Sequence, residues 1–304
     1  MTELPPTDEV VSALKYAVAP CFTAAATVYL VGRVSLSLIR RFSGRSLPLS
    51  AVIAVLAVGT ALAIGNYTAG LDRPFPWVPD GKPWHFAWWA IGAMVGVELI
   101  ARIPGIQFGN LLRGVTAGLA AYFAIPAFAQ TEARWWIPVA GLAIAVVWGA
   151  TDFVAKKYPG GSLAFALAIN CGGTAAICLH AASLGFLNVA TFLAAGLGAC
   201  ALCAWLTRSD AAAAANAASG PQIVLLLLTK HLSSDHQVPL DCFLIVGLAP
   251  LALLLLFAPG IRRMASMRFG GIAAISLVAT PVAFAVLRAM IVAPYSFSLA
   301  QEEW

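Results

Sequence analysis

Two acidic residues stand at the ends of runs that are otherwise apolar enough to cross a bilayer. They are Glu98, in Glu-Leu-Ile-Ala-Arg102, and Asp152, in Asp-Phe-Val-Ala-Lys156. An ionised group in hydrocarbon costs about 3 kcal/mol or more, so a carboxylate there is a candidate for proton relay. In both runs a base follows four residues later, the order that pairs acid with base on one helix face. Both pairs also fall in the last turns, where a long base can snorkel to interfacial water. The expectation is therefore two local ion pairs with a structural role.

Prolines supply a second signal. Pro221, Pro250 and Pro281 lie near the middle of three successive apolar runs. A proline inside a helix removes one N–H and frees the carbonyl four residues earlier. Ser219-Gly220-Pro221 is predicted to break its helix, with Asn216 and Gln222 beside the break. Asn170, in Asn-Cys-Gly-Gly-Thr174, offers an opposing wall, and Gly196 and Gly198 thin the run that follows. Asn216, Ser219, Gln222 and Asn170 are thus the candidate substrate-binding residues, and Pro221, Pro250 and Pro281 the candidate helix breaks. Transporters build midplane sites in this way. The competing reading is three ordinary kinks, with Asn170 as a hydrogen-bonding contact between closely packed helices.

Other chemistry is thinly represented. Cys200-Ala-Leu-Cys203 is a CxxC without a second pair or a suitably spaced histidine, so no metal site is expected. All six cysteines lie in apolar stretches, which argues against a disulfide framework. His85, His180, His231 and His236 are predicted on one side, where a pair could flank a haem or quinone. No phosphate-binding loop, HExxH or GxSxG occurs, so nucleotide-driven and protease chemistry find no support and no cofactor is expected.

These residues need elements to hold them, and composition names the elements. The chain of 304 residues is 61% hydrophobic and 10% charged, outside the range of a soluble domain. Apolar runs long enough to span a core of ~30 Å recur along it. The fold class is all-α, a polytopic bundle of about ten membrane-spanning helices, with residues 1–304 as one integral membrane domain. The helices are expected at 10–32, 49–64, 84–101, 112–128, 135–155, 162–184, 187–206, 211–229, 240–257 and 271–292. Trp84, Trp88 and Trp89 open the third and Trp135 and Trp136 the fifth, at the headgroup level that tryptophan favours. Pro104-Gly105 and Pro159-Gly160 close them. The two segments echo one another, which suggests a duplicated hairpin.

The net charge of +5 bears on orientation and on lipid headgroups rather than nucleic acid. With ten spans, Arg33, Arg40, Arg41, Arg45, Arg102, Arg113, Lys156, Lys157, Arg208, Arg262, Arg263 and Arg268 share one side, which the loop-charge bias makes cytoplasmic. Both termini are then expected outside, in an inner or plasma membrane. The acidic start, Met1 to Glu9, lacks the basic region of a cleaved signal.

The leading functional expectation is a secondary transporter or permease for a small neutral or weakly polar solute. The first alternative is a non-catalytic subunit or scaffold of a larger membrane complex, and the second a membrane redox protein using the histidines. The expected partners are the bilayer and a small solute, not nucleic acid. Thiol labelling should place Arg40, Arg45, Lys156 and Arg262 on one side of the membrane and the Leu71–Lys82 loop on the other. Lys156 and Arg262 on opposite sides would overturn the ten-span count.

Overall fold

A computed structural model describes residues 15, 18–43, 49–68, 83–103, 108–125, 134–158, 160–232, 238–259, 261 and 270–294. Arg45, the Leu71–Lys82 loop, Pro104, Gly105, Pro159, His236, Arg262, Arg263, Arg268 and both termini lie outside the described residues, as do the side chains of Arg40, Trp84 and His85. Ten α-helices form among the described residues: α1 Ala19–Ser43, α2 Ser50–Thr68, α3 Pro83–Ala101, α4 Gly109–Ala124, α5 Trp136–Lys157, α6 Ser162–His180, α7 Leu184–Thr207, α8 Ala212–Leu232, α9 Leu240–Leu248 and α10 Gly270–Val292. A 3₁₀ helix, Ala249–Phe257, continues α9. Eight segments are long and apolar enough to cross a membrane, counting α9 with its 3₁₀ continuation as one. The other two are α3, with a shorter apolar stretch at Trp88–Ala101, and α4, sixteen residues long and carrying Arg113. The chain is a multi-pass helical membrane protein.

Several helix ends differ from expectation, each for a local reason. α1 does not stop at Arg33; it runs on to Ser43, with Leu36, Leu38 and Ile39 continuing its apolar character. α4 ends at Ala124 rather than near Phe128, because Ile125 precedes Pro126 and adopts the extended backbone that proline imposes (φ −92°, ψ 114°). α6 ends at His180, and Ala182 turns the chain with a left-handed φ of 52°. Gly160, at φ +126°, holds a conformation that suits glycine and closes the turn after α5.

Around α8 the other helices assemble. Every residue from Ala211 to Leu226 is buried, and α2, α3, α4, α5, α6, α7 and α9 all pack on this helix. The run Ala212-Ala-Ala-Ala-Asn-Ala-Ala218 explains why so many neighbours fit, since small side chains let helix axes approach closely. α1, α2 and α7 pack together on one side, α3, α4 and α5 on another, and α6, α9 and α10 on a third. Trp89, Trp135 and Trp136 are exposed, and the last two stack with ring centroids 4.1 Å apart.

The prolines act differently from one another. α8 is continuous through Pro221 and α10 through Pro281, so neither residue breaks its helix. A single lost N–H is cheaper than unwinding several backbone groups in an apolar core. At Pro250 the geometry does change: α9 gives way to the 3₁₀ helix, with this proline in its first turn. The Tyr158 hydroxyl donates to the Leu256 carbonyl at 3.2 Å, satisfying an acceptor near the end of that segment.

Close helix contact at Gly65 yields a test. A Cβ there would run into the Phe192 ring of α7 and lie 2.7 Å from Cys21 Sγ of α1. Gly172 has open space at the same position. Gly65→Ala should cost about 1–3 kcal/mol through overpacking. Gly172→Ala should leave the melting temperature in detergent unchanged or slightly higher.

Candidate functional site

Glu98, near the end of α3, and Asp152, near the end of α5, are both buried, and the i,i+4 partners form. Arg102 Nε donates to Glu98 Oε1 at 2.6 Å and Lys156 Nζ approaches Asp152 Oδ2 at 2.7 Å. The pairs are not separate, however. Arg102 Nη2 also donates to Asp152 Oδ1 at 2.6 Å. Arg113, from the first turns of α4, lies between the two acids: its Nε donates to Glu98 Oε2 at 2.9 Å and its Nη1 lies 3.1 Å from Asp152 Oδ2. Its Nη2 reaches Glu98 Oε1 at 3.1 Å and Asp152 Oδ1 at 3.3 Å, and its Nη1 donates to Asn110 Oδ1 at 3.0 Å. The Trp148 indole N–H completes the set, donating to Glu98 Oε2 at 3.2 Å.

The expected pair of cheap, water-exposed ion pairs is thus corrected to one buried lattice across α3, α4 and α5. The reason is helix register: α4 brings a third cation to the level of both acids. Arg113, Trp148 and Asn110 went unnoticed as site residues in the sequence. The available signal was an arginine four residues into an apolar helix with no acid three or four positions away. Two acids waited on the flanking helices.

The four candidate binding residues are all buried, but they do not form one group. Gln222 faces α6, where its Oε1 accepts from the Cys171 thiol at 3.5 Å. Cys178 Sγ and Thr229 Oγ1 lie 3.2 Å apart, so α6 and α8 run parallel with residues fifty-one apart in sequence at one depth. Asn170 therefore stands at the level of Pro221. Gly173, three residues on, faces Val282 of α10 and Val246 of α9, so Pro250 and Pro281 lie within about a turn of the same depth. Both amide atoms of Asn170 and the Gln222 Nε2 have no hydrogen-bond partner among the described residues.

Asn216 sits elsewhere. It lies one turn before Gly220, whose missing side chain would point at Met94 of α3 and Trp148 of α5. Its two amide atoms are likewise buried without a partner among the described residues. Ser219 is committed to the backbone, donating to the Asn216 carbonyl at 3.0 Å. Gly196 thins α7 toward Ala61 and Val58 of α2, not toward α6.

The remaining polar groups have ordinary partners. Arg288 pairs with Asp241 of α9 at 3.0 Å, and His180 Nδ1 lies 2.9 Å from the Ala293 carbonyl. All six cysteines are free and buried, and among the described residues no three His, Cys, Asp or Glu side chains gather as a metal cluster. No protein-family model, curated protein or solved structure matches the chain.

The lattice sets up a clear contrast between its members. Arg113→Leu removes the central cation from two buried carboxylates and should cost about 3–5 kcal/mol. Lys156, with 59% of its side chain exposed, is a rim member. Lys156→Ala should cost about 1 kcal/mol or less. Equal losses of thermal stability in detergent for the two variants would refute the burial argument.

Proposed function

We propose that the protein is a secondary transporter or permease for a small neutral or weakly polar solute, bound between α6, α8, α9 and α10. The observation carrying this reading is that both amide atoms of Asn170 and the Nε2 of Gln222 are buried without a partner among the described residues. The pair lies level with three prolines and beside the start of the 3₁₀ segment. An unsatisfied buried polar group costs about 1–3 kcal/mol, so such groups are retained where something else uses them. Amides offer both donors and acceptors without charge, and among the described residues the one hydrogen bond to this pair comes from the neutral Cys171 thiol. That chemistry favours a neutral, hydrogen-bonding solute over an ion. A mid-helix 3₁₀ stretch is also a frequent hinge, and α9 carries it against α5, α6 and α10. The reading places the protein in an inner or plasma membrane with both termini outside. It assigns no cofactor and no enzymatic step.

A second reading, a subunit or scaffold of a larger membrane complex, is favoured by one observation. Gly92 and Gly96 on α3, and Gly114 and Gly118 on α4, form two GxxxG patterns with open space where side chains would stand. Such faces suit close contact with another helix.

Vesicle permeability separates the two. Proteoliposomes should admit at least one of a panel of neutral solutes (urea, glycerol, small amides and polyols) faster than protein-free vesicles. Gln222→Leu and Asn170→Leu should each abolish that flux while the protein still inserts and folds. If no solute passes, and Asn170→Leu with Gln222→Leu raises the melting temperature, the amides line a dry core and the subunit reading replaces transport.

A further inference from the structure

Asn216 is not explained by the amide pair at Gln222, because it lies on a different face of α8. Residues six apart on a helix are about 120° apart around the axis and about 9 Å apart along it. The depth of Asn216 follows from two fixed points. At one end of the bundle the turn after α5 meets the start of α8: the Gly160 N–H donates to Asp210 Oδ1 at 2.8 Å, and the Ala211 N–H to the Gly160 carbonyl at 3.4 Å. Further in, Gly220 packs against Trp148 and Met94. α8 therefore runs antiparallel to α5, and four residues from Gly220 toward that end bring Asn216 level with Asp152. Glu98 shares the level, being four residues past Met94 and joined to Asp152 through Arg102 and Arg113.

So an unpartnered amide stands at the depth of the lattice, on the side of α8 that faces α3 and α5. The lattice itself is full. Each of the four carboxylate oxygens takes two donors: Arg102 and Arg113 on Glu98 Oε1, Arg113 and Trp148 on Glu98 Oε2, Arg102 and Arg113 on Asp152 Oδ1, Lys156 and Arg113 on Asp152 Oδ2. Three cations already surround the two carboxylates, and three helices are tied at one end of the bundle. Trp148 belongs to both parts: its N–H is held by Glu98, and its ring lies against Gly220 beside Pro221.

We propose that this lattice is a gate that shuts its end of the bundle to water on the α3 and α5 side of α8, that Asn216 is the first polar group behind it, and that Trp148 couples the gate to α8. The proposal rests on the transport reading above and adds a point of water entry on a face of α8 separate from that of the amide pair. In the closed arrangement the guanidinium groups bridge α3, α4 and α5. Loss of the Glu98 contacts releases the indole, and Asn216 becomes accessible to water.

Thiol accessibility tests this without knowledge of the solute. The full-length protein in detergent carries Asn216→Cys and is treated with a charged, water-soluble maleimide; its six native thiols, all buried, give the baseline. With the lattice intact, position 216 should react no faster than that baseline. Trp148→Phe keeps a ring against Gly220 but removes the N–H to Glu98. Added to Asn216→Cys, it should raise the rate at 216 by about tenfold, the scale of one lost hydrogen bond to a charged group. Glu98→Gln should raise it further, and Gln222→Cys in place of Asn216→Cys should show no such dependence. Unfolding would expose the native thiols together, so a rise confined to position 216 is the supporting result. A rate at 216 that is the same with and without Trp148→Phe overturns the gate, as does an equal rise at 222. A dry amide site would instead appear as absent vesicle permeability, which leaves the thiol result unchanged.

Discussion

Hydrocarbon offers no hydrogen bonds, so polar groups carried into a membrane must find partners in the protein or in what it encloses. That constraint orders the whole bundle. It keeps α8 helical through Pro221, because unwinding would strand more backbone groups than the proline does. It draws the serine and threonine hydroxyls back onto the preceding turn, as with Thr151 on the Val147 carbonyl and Thr229 on the Leu225 carbonyl. It also sets Tyr29 of α1 against Ser209 and the Asp210 carbonyl, anchoring the start of α8.

Two buried polar groupings answer the constraint in opposite ways. The Glu98–Arg113–Asp152 lattice meets it at the carboxylates, each oxygen having two nitrogens at ordinary hydrogen-bond distances. A planar guanidinium suits this role, since its fork can address two carboxylates at once. Asn170, Asn216 and Gln222 leave five amide atoms unmatched among the described residues of the same core. A chain that satisfies four ionised groups in its core has the means to satisfy three amides. Their isolation is the feature on which the proposed binding role rests.

Much of the architecture was legible because periodicity and length report directly on burial. The ten apolar runs became ten helices among the described residues, and the acid–base spacing at Glu98–Arg102 and Asp152–Lys156 did form pairs. What escaped was everything that depends on register between helices. Arg113 reads as one more base near a loop until α4 is packed between α3 and α5. Asn216 and Gln222 read as neighbours at one proline until their faces are known. Helix ends were also misplaced, at Ile125 because the following proline overrode hydropathy, and in α1 because the apolar pattern runs on past its first arginine.

The 3₁₀ half of the ninth span has a consequence for reach. Eighteen residues wound entirely as α-helix extend about 27 Å, short of a hydrocarbon slab of about 30 Å. Here nine of them, Leu240–Leu248, are α-helical and nine, Ala249–Phe257, are 3₁₀. At a rise of about 2.0 Å per residue the second half stretches the whole to roughly 31 Å. The tighter coil thus acts as a spacer, letting an undersized segment match the thickness of the slab without tilting out of line or drawing its ends below the surface.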